Sequence, residues 1–208
     1  MDLTGNEVLS ISTVYFEELV NNFKNAKQQS VFNSLESAIF LKDQIQFCQT
    51  PEDTVGVCFV PLSKTPDISL FQNGINNLLV CASVDGNGNP LPSNGGVYPL
   101  SVCPPTNCNI IQINEETEVN DIPYKDITNH KLGDSPFEGI YFSNDVINTI
   151  LKQQNCVGIS VMIVQSPEGA FRLAICGIGA TDEELKQYFR QIDGEYLIAY
   201  SDIIIAIH

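Results

Sequence analysis

The sequence predicts an α+β fold built from two similar helix-plus-β-hairpin units, whose strands form a mainly antiparallel sheet covered by helices. Three observations carry that expectation: an internal similarity at an offset of 102 residues, β-branched runs separated by short turns, and amphipathic stretches at helical spacing. Sliding the chain by 102 places Phe40, Asp43, Ile45, Val55 and Gly56 on Phe142, Asp145, Ile147, Val157 and Gly158 without a gap. Farther along, an offset of 94 puts Leu79 on Leu173 and Val84 on Ile178, so the first copy carries 8 more residues between its strands. The excess falls in residues 62–76, where Lys64-Thr-Pro66-Asp67 and Asn73-Gly74 are turn chemistry.

In chain order, residues 14–27 carry Val14, Phe16, Leu19, Val20 and Phe23, the pattern of an amphipathic helix packing on a sheet. The first hairpin pairs residues 55–62 with 77–84, and Asp85-Gly-Asn-Gly-Asn89 ends its second strand. Residues 91–139 are rich in proline and read as an irregular connector with short strands near Val97 and Ile110. In the second unit Ser143 can cap a helix reaching about Gln153, with Val146, Ile147, Ile150 and Leu151 on one face. Residues 157–164 and 170–178 flank Ser166-Pro-Glu-Gly169, a turn short enough to force antiparallel pairing. Thr181-Asp-Glu-Glu184 is a capping box that predicts a helix to about Ile192, stopped by Gly194. Residues 196–207 are strand-like, and because Ile203-Ile-Ile-Ala-Ile207 lacks polar alternation, both of its faces should be covered. The resulting division is 1–108 for the first unit with its Cys-Pro-Pro tail, 109–136 for the connector, and 137–208 for the second unit with its C-terminal helix and strand. Gly56 and Gly158, each at a strand start, are expected where another backbone comes close and a side chain is poorly tolerated.

Composition excludes some function classes. The 208 residues include 25 Asp+Glu against 10 Lys+Arg, a net charge of −15 that repels phosphate backbones and anionic lipid heads, so nucleic acid is not an expected partner. No apolar run approaches the roughly 18 residues of a membrane span. Hydrophobic residues at 43% suffice for a core, while charged residues at 17% fall below the ~25% usual in soluble domains. The polar balance is met by 19 Asn and 12 Gln. The segment Met1-Asp-Leu-Thr-Gly-Asn-Glu7 lacks the basic and apolar regions of a secretory signal, which points to the cytoplasm and leaves export by another route open. Seven cysteines, an odd number in a chain large enough to build a core, favour reduced thiols, and Cys58, Cys81 and Cys176 lie in apolar runs as core packing.

Candidate chemistry is sparse. Cys103-Pro-Pro-Thr-Asn-Cys108 is the sharpest feature, open to three readings: free thiols at a structural turn, a disulfide, or half of a zinc site for which no second cysteine pair or nearby histidine exists. Asp85-Gly-Asn87-Gly-Asn89 begins like a calcium loop, but Pro90 and Gly96 stand where the glycine and the bidentate glutamate belong, so it reads as a glycine-assisted reversal. Cys156 would need a base, and His130 and His208 are the only histidines. Glu115-Glu116 reads as a solvated loop and Glu183-Glu184 as a helix first turn. Nucleophile-elbow, P-loop, dinucleotide-binding and zinc-protease motifs are absent, so no catalytic, cofactor-binding or metal-ligating residue is assigned.

Three of these elements together resemble an uncharacterised bacterial family of short hypothetical proteins. Gln153-Gln-Asn-Cys156-Val-Gly158-Ile159 is similar to its helix-to-strand junction, Leu79-Val-Cys-Ala-Ser-Val-Asp85-Gly-Asn-Gly88 to its second hairpin strand, and Cys103-Pro-Pro-Thr-Asn-Cys108 to its tail. The resemblance spans roughly residues 35–108 and 137–180 and implies two units in tandem, each incomplete. Thr54 replaces the cysteine in the first, Gly179-Ala180 replaces the Asp-x-Asn-Gly turn in the second, and the second has no cysteine tail. The family implies no activity. The expectation is therefore a non-catalytic structural or interaction protein whose partner is a second copy of itself, without cofactors. The alternative is a small-ligand binder or enzyme using a cleft between the units with a reactive cysteine.

Overall fold

The structure, a computed structural model, describes residues 5–26, 30–32, 35–63, 77–90, 96–103, 109–110, 121–122, 124–180, 188–189 and 197–207. Its elements in chain order are β1 (Glu7–Val8), α1 (Thr13–Ala26), β2 (Ser37–Leu41), α2 (Lys42–Gln49), β3 (Thr54–Ser63), β4 (Asn77–Asp85), β5 (Gly96–Val97), β6 (Ser101–Cys103), β7 (Asn109–Ile110), β8 (Asp121–Ile122), α3 (Tyr124–His130), β9 (Gly139–Ser143), α4 (Asn144–Leu151), β10 (Cys156–Gln165), β11 (Phe171–Ala180), β12 (Tyr188–Phe189), β13 (Ile198–Ser201) and β14 (Ile204–Ile205). The fold is α+β, with antiparallel strands in two sheets. The first sheet runs β1-β13-β11-β10-β2-β6-β7, with β12 added to β11; the second runs β14-β9-β3-β4-β5-β8.

Each hairpin takes its third strand from the other half of the chain. The β10–β11 hairpin receives β2, and the β3–β4 hairpin receives β9. The ladders correspond at an offset of 102: Gly56 pairs with Ser143 and Val57 with Phe142, while Gly158 pairs with Leu41 and Ile159 with Phe40. Both hairpins also break register at the same place, between Thr54 and Gly56 and between Cys156 and Gly158. The correspondence continues beyond the hairpins, where β5 and β13 flank β4 and β11, and β6 and β14 flank β2 and β9. The helices α2 and α4 carry the chain from one sheet to the other.

The largest core lies between the sheets, where Phe40 of β2 meets Phe59 of β3 at 5.3 Å and Phe59 meets Phe142 of β9 at 6.0 Å between ring centroids. A second cluster joins Leu19 of α1 to Met162, Val164, Ala174, Cys176 and Ile198 on the outer face of the first sheet. Helix α1 forms as its spacing predicts, with Leu19 and Phe23 buried and the Ser12 hydroxyl accepting from Tyr15 N at 3.2 Å. Hairpin 55–62/77–84 and its counterpart 157–164/170–178 also form, as Thr54–Ser63 with Asn77–Asp85 and as Cys156–Gln165 with Phe171–Ala180.

Three local expectations need correction. The opening strands β2 and β9 were not foreseen, because five-residue apolar runs before a helix have no alternation to mark them. The capping box at Thr181 predicts a helix through Tyr188 and Phe189, yet these residues are extended and pair with Ala180 and Gly179, so tertiary pairing overrides local signals; residues 181–187 and 190–196 lie outside the described residues. The described part of the expected 196–207 strand, residues 197–207, is not one strand covered on both faces. The chain leaves the first sheet after Ser201 and enters the second at Ile204, where β14 is an edge strand. Ile203, Ile205 and Ile207 are buried while Ile204 is 45% exposed, so the alternation hidden in an all-apolar run is restored by the structure.

Candidate functional site

A polar arrangement gathers where β1, the end of β9, the start of α4 and the start of β3 meet. Ser143 has extended backbone, so its hydroxyl can accept from Val146 N at 3.4 Å and cap α4. Glu7 reaches that helix start from the first sheet. Its Oε1 accepts from Ser143 N at 2.7 Å and its Oε2 from Ser143 Oγ at 2.6 Å. Beside them Asn144 Nδ2 donates to Thr54 O at 2.8 Å, Gln49 Nε2 donates to Asn144 Oδ1 at 2.8 Å, and Tyr141 OH donates to Val55 O at 3.2 Å. Burial raises the Glu7 carboxyl above its ordinary value, the two bonds from Ser143 pull it back, and the Asp145 charge adds to the rise. Burial, with the charges of Glu7 and Asp145, pushes Tyr141 up to about 12. The Ser143 hydroxyl is engaged in both directions, so the arrangement fastens β1 to the second sheet and offers no free nucleophile.

Residues 5–11 lie along β13, with Leu9 packed against the larger core and Ile11 against the smaller. Glu7 and Val8 pair with Ser201 and Tyr200, Asn6 N donates to Asp202 Oδ1, Asp202 N donates to Asn6 O at 3.1 Å, and Ile11 N donates to Ile198 O at 2.9 Å. The C-terminal strand is held differently: Ile207 N donates to Glu138 Oε2 at 2.6 Å, and Lys131 Nζ bonds Ile207 O at 2.7 Å while pairing with Glu138 at 3.4 Å.

The structure places the residues singled out by sequence in separate positions. Gly56 and Gly158 occupy the two crossings where each hairpin meets the strand of the other half. A Cβ on Gly158 would sit 2.2 Å from Phe40 O and 3.0 Å from Leu41 Cα; on Gly56 it would sit 2.4 Å from Phe142 O and 2.4 Å from the Tyr141 ring. Cys103 ends β6 with its backbone paired to Ser37, but its side chain and residues 104–108, including Cys108, lie outside the described residues. Cys156 is buried, its thiol donates to Gly158 O at 3.1 Å, and burial raises it above the ordinary thiol range. It lies at the start of β10 in the first sheet, whereas His130 ends α3, which packs on β3 of the second. Cys48, Cys58, Cys81 and Cys176 are also buried, and burial pushes Cys58 and Cys81 upward. Asp85 closes its loop by accepting from Asn87 N at 2.8 Å and Asn89 N at 2.9 Å, which lowers its carboxyl. No group of three or more metal-ligating side chains occurs among the described residues.

Sequence reasoning missed Glu7, because a lone acid ahead of a helix carries no local signal of a partner 136 residues away. It also missed Ser37 and Ser160, buried on β2 and β10 without a hydrogen-bond partner. No family model, curated protein or solved structure matches the chain.

Proposed function

We propose that the chain is a non-catalytic structural or interaction protein that self-associates, composed of two tandem copies of a unit akin to the bacterial family its motifs resemble. The matched ladders at an offset of 102 support the duplication. The observation that carries self-association is the corner where the chain passes from β13 to β14. There both sheets end in two-residue edge strands, β1 and β14, leaving Val8 43% and Ile204 45% exposed. An edge strand presents unpaired backbone groups, and the exposed apolar side chains beside them give another copy a surface on which to extend the sheet. The net charge of −15 weighs against nucleic acid as the partner. Against the enzyme reading stand the buried, protonated thiol of Cys156 and the shared aromatic core that fills the space between the halves.

The test is mass by light scattering over a range of concentrations, with Val8→Lys and Ile204→Lys as probes. Assembly of the unmodified chain that both lysines reduce, at unchanged melting temperature, supports the reading. A monomer at every concentration overturns it.

A further inference from the structure

We infer that residues 5–9, hinged at Ser10, form an exchangeable arm, which can leave β13 of its own chain and take the identical seat on β13 of a second copy. This deepens the self-association reading and rests on it. The seat comprises a two-residue ladder, the Asn6/Asp202 pair, the Glu7 grip on Ser143 and the packing of Leu9 against the larger core, while the bond from Ile11 N lies beyond the hinge and stays in place. Within it the arm carries two local costs. Ser10, between β1 and α1, is held at φ 68°, a left-handed conformation that glycine tolerates and serine adopts at a cost. The Glu7 carboxylate is desolvated and faces Asp145 of α4.

The hinge therefore stores strain at one point while the segment ahead of it makes contacts that any copy of the chain can supply. Exchange reproduces every seat contact in both partners and allows Ser10 to open, the circumstances in which identical elements swap. The arm takes no part in either hairpin ladder, and an exchanged Leu9 packs on the partner's core as it does on its own. The opposing term is repulsion between chains of net charge −15, which added salt screens; exchange should therefore increase with ionic strength.

Val8 and Tyr200 are directly opposite in the ladder, a separation that a disulfide can span. In a Cys103→Ser/Cys108→Ser background, a Val8→Cys chain carrying a mass tag is mixed with an untagged Tyr200→Cys chain and oxidised at raised salt. A tagged–untagged disulfide dimer that grows with time is the expected product. If no such dimer forms while the Val8→Cys/Tyr200→Cys double variant closes within one chain, exchange is refuted. If neither bond forms, the Val8–Tyr200 register is wrong and the proposal falls with it. Mass measured on the double variant closed in cis separates the two readings: persistent assembly leaves self-association standing without the arm, and a monomeric unmodified chain removes both.

Discussion

Gly158→Ala is the smallest perturbation that tests the crossing between the halves. The new Cβ would lie 2.2 Å from Phe40 O, 3.0 Å from Leu41 Cα and 3.2 Å from Phe40 C. Ordinary contact begins near 3.4 Å, and all three atoms belong to the backbone of β2, so no side chain can swing aside. The strand must move by about an ångström, a well-packed site overfilled at about 1–3 kcal/mol. The ladder bonds around Gly158–Leu41 and Ile159–Phe40 would stretch with it, at about 1 kcal/mol for each one lost. Together these give about 3 kcal/mol, which for a chain of this size lowers the melting temperature by about 6–12 °C. Gly133→Ala is the control, because nothing lies within 4 Å of its Cβ position. Thermal unfolding by circular dichroism reads both variants. Equal melting of Gly158→Ala and Gly133→Ala would refute the close approach and with it the argument that β2 is fixed by its neighbour's glycine.

Other outcomes follow from single sites. Glu7 has a folded-state pKa raised above 4.5, so its contribution to stability is fully present below that value and is lost as pH rises through the raised one; Glu7→Gln should flatten this dependence and melt no lower than the parent at pH 7. A variant that melts markedly lower at pH 7 would mean that the charged bonds to Ser143 outweigh burial. Ser160→Ala removes a buried hydroxyl with no partner and should leave stability unchanged or raise it by up to about 1 kcal/mol, where an ordinary buried serine would lose stability; urea unfolding measures the difference. Cys48, Cys58, Cys81, Cys156 and Cys176 should react with a thiol reagent only on unfolding, so fast labelling of Cys156 in the native protein, read by mass spectrometry, would restore the reactive-cysteine alternative.

What the sequence revealed was local or periodic. The stripe of Leu19 and Phe23 marks α1, the Ser143 cap marks α4, and the β-branched runs around short turns mark both hairpins. The equivalence of Gly56 and Gly158 was legible as a repeated residue, but its cause was not, since the backbone each glycine faces belongs to the other half. Tyr188 and Phe189 were misread because a capping box is a local signal, whereas pairing with Gly179 and Ala180 is a tertiary one. The corner built around Glu7 left no trace at all: its partners Ser143, Asp202 and Tyr200 become neighbours only when the sheets assemble.

The two halves show which features of such a unit are free to differ and which are tied to the exchange of strands. At the helix starts, offset by 102, Leu41 stands where Ser143 does, and the same exposed amide is served by different means: Leu41 N donates to Gln44 Oε1 at 2.8 Å, whereas Ser143 N donates to Glu7. Any acceptor that reaches the amide satisfies the helix, so the cap can change. The segment between the hairpin strands also differs, residues 64–76 in the first copy against 166–170 in the second. Gly56 and Gly158 have no such freedom, since each admits the backbone of a strand that its own unit does not contain. A single unit would leave one hairpin edge bare and the Phe40–Phe59–Phe142 contacts incomplete, while a second unit of the same register closes both. Under the proposed duplication, the pairing that holds one chain together is the pairing that two separate units would use to dimerise, and joining them in tandem would make that association intramolecular and independent of concentration.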